Sequence, residues 1–269
     1  MVRSPVKVSA EAALRYSAPI ICTGGNISMK AALRCSAPII VTGGDKGGTG
    51  KSFVARILAA WLRRHGYLVH GFDGDARNAH LERYYGDSFT VERHYLRKDA
   101  GWDALFHGWE NSAENEVLLV DLPGNIGDAV EREMQRIQLM AEAFDRELIH
   151  VWVADEEEDS VTLLERLHPL TSWPQTLVVL NGRFGANAHA FELWSDSAIR
   201  SELLREGGYE TFLPALPIQV RTRIARAHAP FDDVSRAKLT VYQTVDLDIW
   251  LKRVDAAFLP LAKIMESLA

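Results

Sequence analysis

The sequence predicts an α/β protein: a doubly wound, mostly parallel sheet flanked by helices in three layers. Three observations predict it. Apolar runs of strand length alternate with amphipathic stretches of helix length along the chain. Several runs, such as Val117-Leu118-Leu119-Val120 and Leu177-Val178-Val179-Leu180, are continuously apolar, as strands buried on both faces are. The runs also end in Asp73, Asp121 or Asn181, polar groups placed at the strand edge where α/β proteins bind ligands.

At 269 residues the chain makes one large α/β domain or one domain with an appendage. Hydrophobic residues are 47% and charged residues 25%, the balance of a soluble globular protein that can bury a full core. The formal net charge of −6 excludes a protein whose whole surface grips DNA or an anionic membrane, and leaves room only for a local basic patch. No apolar run reaches bilayer length, and the N-terminus has no apolar region of secretory type. The two cysteines, Cys22 and Cys35, make neither a disulfide framework nor a metal site, so a reducing cytoplasm is expected.

The N-terminus carries an internal repeat. Residues 12–25, Ala-Ala-Leu-Arg-Tyr-Ser-Ala-Pro-Ile-Ile-Cys-Thr-Gly-Gly, recur at 31–44 with changes only at Tyr16/Cys35 and Cys22/Val41. Asn26-Ile27-Ser28 follows the first copy, so that copy has no phosphate loop. A local duplication and extra sequence before a start at Met29 both explain it. Residues 1–28 are expected to be a dispensable extension, and residues 29–269 a single domain.

The second copy runs into Asp45-Lys46-Gly47-Gly48-Thr49-Gly50-Lys51-Ser52 and then an amphipathic stretch from Phe53 to Leu62. Strand, glycine loop and helix in that order suit phosphate. Glycines turn successive N–H groups inward, and the helix N-terminus adds a positive dipole end. Lys51 would reach the β/γ-phosphates, and the Ser52 hydroxyl would ligate Mg²⁺. Arg63-Arg64-His65-Gly66 ends this helix, and the strand Tyr67–Phe72 leads to Asp73-Gly74-Asp75-Ala76-Arg77-Asn78. In residues 79–115 the aromatics, among them Tyr84, Tyr85, Trp102 and Trp109, are read as packing short helices and one near 102–112 onto the sheet. The strand Glu116–Val120 ends in Asp121, a carboxylate placed to hold a Mg²⁺ water shell, and Pro123-Gly124 follows. Helices are expected near 126–145, 160–168, 191–206 and 245–267, and strands at 147–154, 176–180 and 209–215. The acidic run from Asp155 to Asp159 is read as a solvated helix start. The last helix carries too few basic residues for a membrane-targeting face.

Together these residues resemble the ParA/MinD family of P-loop ATPases, with the deviant Walker A loop K-G-G-x-G-K-[ST] at Lys46–Ser52. Asp45 stands where the strict pattern has glycine, which the family tolerates. The resemblance spans roughly residues 37–235 and implies the P-loop NTPase fold, Mg²⁺ and ATP as cofactors, and a cytoplasmic, ATP-dependent homodimer. It implies that Lys46 reaches across the dimer to the partner's phosphates, and that Gly47, Gly48, Thr49, Gly50, Lys51 and Ser52 cradle them. Asp75 would activate the attacking water, while Asp73 and Asp121 support the metal. Asn181, with Arg183, would hydrogen-bond the adenine, and the segment from Pro217 would border it. The glycine expected before Pro230 is replaced by Ala229. A protein partner that stimulates hydrolysis is implied as well.

The function expected on this resemblance is an ATP-hydrolysing switch serving plasmid or chromosome partition or conjugative DNA transfer. Arg221, Arg223 and Arg226 are a possible nonspecific DNA contact, or surface salt-bridge partners. Two other classes stay open: a dethiobiotin-synthetase-like metabolic ligase, and a nucleotide-binding adaptor without turnover.

Overall fold

The computed structural model describes residues 36–268 apart from Asp45 and Ala76. The first copy of the repeat, Met29, Cys22 and Cys35 lie outside the described residues. Ile39–Gly43 form strand β1 and Lys51–Arg64 helix α1, whose last turn is basic. β2 (Leu68–Asp73), α2 (His80–Tyr85), β3 (Val91–Arg93) and α3 (Asp99–Glu110) follow. β4 (Glu116–Asp121), α4 (Gly127–Ala143), β5 (Leu148–Ala154) and α5 (Glu158–Leu167) continue the alternation. β6 (Thr176–Asn181) leads through α6 (Glu192–Ser195) and α7 (Ala198–Arg205) to β7 (Tyr209–Leu213). Helices α8 (Ile218–Ala227), α9 (Val241–Ala257) and α10 (Leu259–Leu268) close the described chain.

The seven strands pair in the order β3-β2-β4-β1-β5-β6-β7, and every pair is parallel. Successive side chains of a strand point to opposite faces, and each face has its own core. Ile40, Val117, Leu119, Ile149, Val151 and Val179 pack with α1, α2 and α8 to α10. Ile39, Val41, Leu118, Val120, Trp152 and Val178 pack with α3 to α7. The architecture is therefore helix, sheet, helix. With every strand parallel, the carboxyl edges of β1, β2, β4 and β6 align on one rim, the rim that holds the site.

At the opposite rim, Arg146 is 5% exposed. Its Nη1 donates to the carbonyls of Ala37 and Glu116 at 2.6 and 2.7 Å, and its Nη2 to that of Ala113 at 2.6 Å. One guanidinium thus ties the entries to β1 and β4.

Several elements differ from the sequence expectations. The helix expected at 191–206 is two helices, because the Ser197 hydroxyl accepts from the Arg200 N–H at 3.2 Å and starts a new one. The helix expected at 245–267 starts earlier, at a Thr240/Gln243 capping box, and breaks before α10. Pro260 lies in the first turn of α10, where its missing N–H costs nothing, but it cannot continue α9. β7 ends at Leu213, before Pro214. β3 was not expected at all. It is a three-residue edge strand. The aromatics Tyr85, Trp102, Phe106 and Trp109 are buried against the sheet. Among the described residues no helix is long and apolar enough to cross a membrane.

Candidate functional site

The glycine loop joins β1 to α1. Gly48 and Gly50 have φ of 95° and 97°, a region open to glycine at little cost. Gly50 is the N-cap of α1 and no side chain caps the helix, so its first N–H groups are left for an anion. Lys51 Nζ donates to the Lys46 carbonyl at 2.6 Å. Lys46 Nζ lies 3.7 Å from Asp159 and 4.0 Å from Glu157, so the acidic run is partly paired rather than wholly solvated. Thr49 is buried.

The end of β6 braces the loop from beside it. Asn181 Nδ2 donates to the Thr49 carbonyl at 2.7 Å, and Asn181 Oδ1 accepts from the Arg183 N–H at 3.1 Å. Both ends of the amide are therefore engaged within the protein. A Cβ at position 50 would collide with Asn181 Nδ2. Arg183 is exposed and its guanidinium lies 5.4 Å from the Phe184 ring centre. Pro217 is the residue from which α8 starts, next to Leu216 in the cleft wall.

Strand register gathers the carboxylates. Asp121 of β4 pairs with Asp73 of β2 on one side and Thr42 of β1 on the other. Asp73 Oδ1 accepts from the Asp75 N–H, and its Oδ2 accepts from Leu81 and Glu82 at 2.7 and 3.3 Å, which anchors the first turn of α2. Asp75 Oδ1 accepts from Arg77 and Asn78, fixing that carboxylate at the cleft wall. Burial, then the charge of Asp73, pushes the Asp121 carboxyl up to about 7, against the pull of Ser52 and Lys51. Burial likewise pushes Asp73 up to about 6. Two adjacent buried carboxyls of this kind gain most from a cation.

The donors present fit Mg²⁺. The Ser52 hydroxyl at the start of α1 and the Asp121 carboxylate at the end of β4 are hard oxygen donors, and Mg²⁺ takes one or two such groups while phosphates and water fill its shell. Among the described residues no group of three or more His, Cys, Asp or Glu is arranged to hold a metal by itself.

The cleft over this rim has a cavity volume of about 570 Å³. Gly47, Gly48, Gly50, Lys51 and Ser52 line it, as do Asp75, Asp121, Asn181, Arg183 and Arg221. Arg223 and Arg226 are exposed on α8. A second, apolar cavity of about 40 Å³ lies behind Gly43 and Gly44, room for a few waters at most.

Sequence reasoning missed four cleft residues. The Gly47 N–H donates to Asn125 Oδ1 at 3.0 Å. Arg97 donates to the carbonyls of Gly124 and Asn125 at 2.7 and 3.2 Å, pinning the Pro123-Gly124 segment against the loop. Arg56 and His80 also line the cleft. Asn125 could have been suspected, since it follows Pro123-Gly124 directly. Nothing local marks the other three.

Residues 39–238 match the profile of the CobQ/CobB/MinD/ParA nucleotide binding domain. The chain belongs to this family. The matched span of the CobQ/CobB/MinD/ParA domain contains every site residue named above, and α9 and α10 follow it. The chain is 26% identical over 175 residues to "Protein MobD" of Acidithiobacillus ferrooxidans, covering 65% of this chain and 76% of that protein. Among solved structures, it is similar to a nucleotide-binding protein from Archaeoglobus fulgidus in complex with ADP. That match has 16% identity and a TM-score of 0.46, over 82% of this chain and 90% of the other. The MinD cell division protein of Aquifex aeolicus matches at 16% identity and a TM-score of 0.45, over 82% of this chain and 97% of the other. The P-loop assignment rests on the sheet order, the glycine loop and the family match.

Proposed function

We propose that this chain is a Mg²⁺-dependent ATP hydrolase that works as a switch, with ATP held between two facing copies. The observation that carries this reading is the convergence of Lys51, Ser52, Asp75 and Asp121 on one cleft at the carboxyl rim of a parallel sheet. Lys51 and the first N–H groups of α1 bind the phosphates. Ser52 and Asp121 hold Mg²⁺, which when bound offsets negative charge on the β- and γ-phosphates. Asp75 orients the attacking water and takes its proton. Lys46, half-buried at the start of the loop, turns from Asp159 and Glu157 to the partner copy's phosphates and stabilises charge on the transferred phosphoryl.

ATP would then bring two copies together, and hydrolysis would separate them. The service is DNA partition or conjugative DNA transfer in the cytoplasm. Arg223 and Arg226, exposed on α8, offer a phosphate contact for DNA, and a further protein stimulates turnover. The family match and the charge placement around the cleft support this reading. The test is light scattering with ATP, with ADP, and with ATP on Lys46→Ala. A dimer formed only with ATP and lost in the variant is expected. A monomer indifferent to nucleotide overturns the switch.

A further inference from the structure

Arg56 stands one helical turn after Ser52 on α1, and its Nε donates to the Ser52 carbonyl at 3.2 Å. Helical side chains lean toward the N-terminus, so its guanidinium is carried back toward the phosphate-loop end of the helix. It lies 3.9 Å from the Tyr84 ring centre, 5.5 Å from that of Phe53 and 5.6 Å from that of Phe231. Three aromatic rings thus hold the cation at the wall of the cleft.

What this cation lacks is a counter-charge. Arg63, Arg64, Arg136, Arg200 and Arg236 each pair with a carboxylate within 3.1 Å. Among the described residues no carboxylate forms an ion pair with Arg56, and Asp121 acts on it only through space. The guanidinium is half-buried, and its neighbours on the protein side are rings rather than acids. Keeping a half-buried cation without a counter-charge is costly, and the aromatic contacts offset only part of that. Next to it, His80 also lines the cleft, and its Nδ1 is buried with no hydrogen-bond partner among the described residues.

We propose that Arg56 is an oxyanion receptor of the cleft, with His80 as a neighbouring donor. The oxyanion is a phosphate of the bound nucleotide or an anionic group of a second ligand seated beside it. The first source rests on the nucleotide reading above; the second does not need hydrolysis. A planar fork fits phosphate or carboxylate with two parallel hydrogen bonds, which a lysine at the same place would not supply.

The test is calorimetric titration of ATP, ADP, AMP, adenosine and inorganic pyrophosphate into the full chain, into R56Q and into R56K. If the nucleotide supplies the anion, R56Q weakens ATP, ADP and AMP by about tenfold or more and leaves adenosine unchanged. R56K recovers part of the loss. If a second ligand supplies it, R56Q leaves nucleotides unchanged, and pyrophosphate binds ADP-saturated wild type but not ADP-saturated R56Q. The proposal is overturned if R56Q matches wild type in both arms, or if adenosine weakens as much as AMP. Should R56Q fail to fold, R56K decides, through the difference between AMP and adenosine. Should wild type bind no nucleotide, the ATP reading falls by itself, and pyrophosphate on wild type against R56K still decides Arg56.

Discussion

Lys51 Nζ donates to the main-chain carbonyl of Lys46 at 2.6 Å, so the two lysines of the loop are tied end to end. The tie keeps the loop curled around the place where phosphate would sit, and an arriving phosphate competes with a carbonyl for the ammonium. Lys51→Ala removes both the tie and the charge. It is expected to abolish the calorimetric signal for ATP, while strand β1 and helix α1 keep the fold. An unchanged ATP affinity would show that the loop is not the phosphate site.

Gly50 and Asn181 share one space. Gly50 has a φ of 97° and a Cβ there would run into the Asn181 amide, itself bonded to the Thr49 carbonyl. Gly50→Ala should therefore displace the brace and strain the backbone, costing about 1–3 kcal/mol and most of the nucleotide affinity. Asn181→Ala in the same background should recover stability but not affinity. Chemical denaturation and nucleotide titration of the two variants check this.

Lys46 is drawn to Asp159 and Glu157 at 3.7 and 4.0 Å within its own chain. If it must leave them to serve a partner copy, removing the acids should help. Glu157→Gln with Asp159→Asn is expected to lower the protein concentration needed for ATP-dependent dimers by a few-fold, about what partly exposed pairs are worth. Light scattering across a dilution series with ATP reads it. Weaker dimerisation in the double variant would instead place the two acids at the interface.

Arg146 should matter for stability and not for ligand binding. Its guanidinium holds three carbonyls at the rim opposite the cleft, the Ala37 bond among them fully buried. Arg146→Ala takes a charged donor from each, although the Ala113 carbonyl keeps the Glu116 N–H, and is expected to cost about 2–4 kcal/mol in urea unfolding. Nucleotide affinity measured below the unfolding transition should stay within a factor of about two.

His150 gives the protein an acid-side weakness. It is 8% exposed in β5 with Nε2 lacking a hydrogen-bond partner among the described residues, and burial lowers its pKa from 6.5 to about 4. The unfolded chain takes up this proton first, so the contribution to stability is full above pH 6.5 and falls as pH drops toward 4. The total loss is roughly 3 kcal/mol. His150→Leu should flatten that stretch of the stability curve. An unchanged slope would mean that the imidazole reaches water.

Much of the fold was legible because its strands are buried on both faces. Such strands must be apolar along their length and end abruptly in polar groups, as β4 does at Asp121 and β6 at Asn181. β3 escaped notice because an edge strand with Glu92 and Arg93 needs no apolar run. The breaks at Ser197 and Pro260 depend on single residues inside stretches whose helical periodicity continues on either side. In the cleft, glycines, lysines and strand-end carboxylates announce themselves by type. Arg56 does not, since an arginine on an amphipathic helix reads as a solvent-facing one until Tyr84 of α2 is folded over it. Asn181 shows the limit from the other side: its place at the strand end was legible, but its bond to Thr49 comes only with the three-dimensional approach of β6 to the loop.

The strand order has a consequence for biosynthesis. β1 leaves the ribosome before the strands it pairs with, β4 and β5, whose register partners for Ile39 are Leu118 and Leu148. At roughly 5–20 residues per second, Ile39-Ile40-Val41 waits several seconds with both ladder edges open. A nascent chain in that state is a natural client for a chaperone that shields apolar β-segments. For the same reason, recombinant fragments ending before Leu148 would carry β1 with one edge permanently bare, and they are the fragments most prone to precipitate.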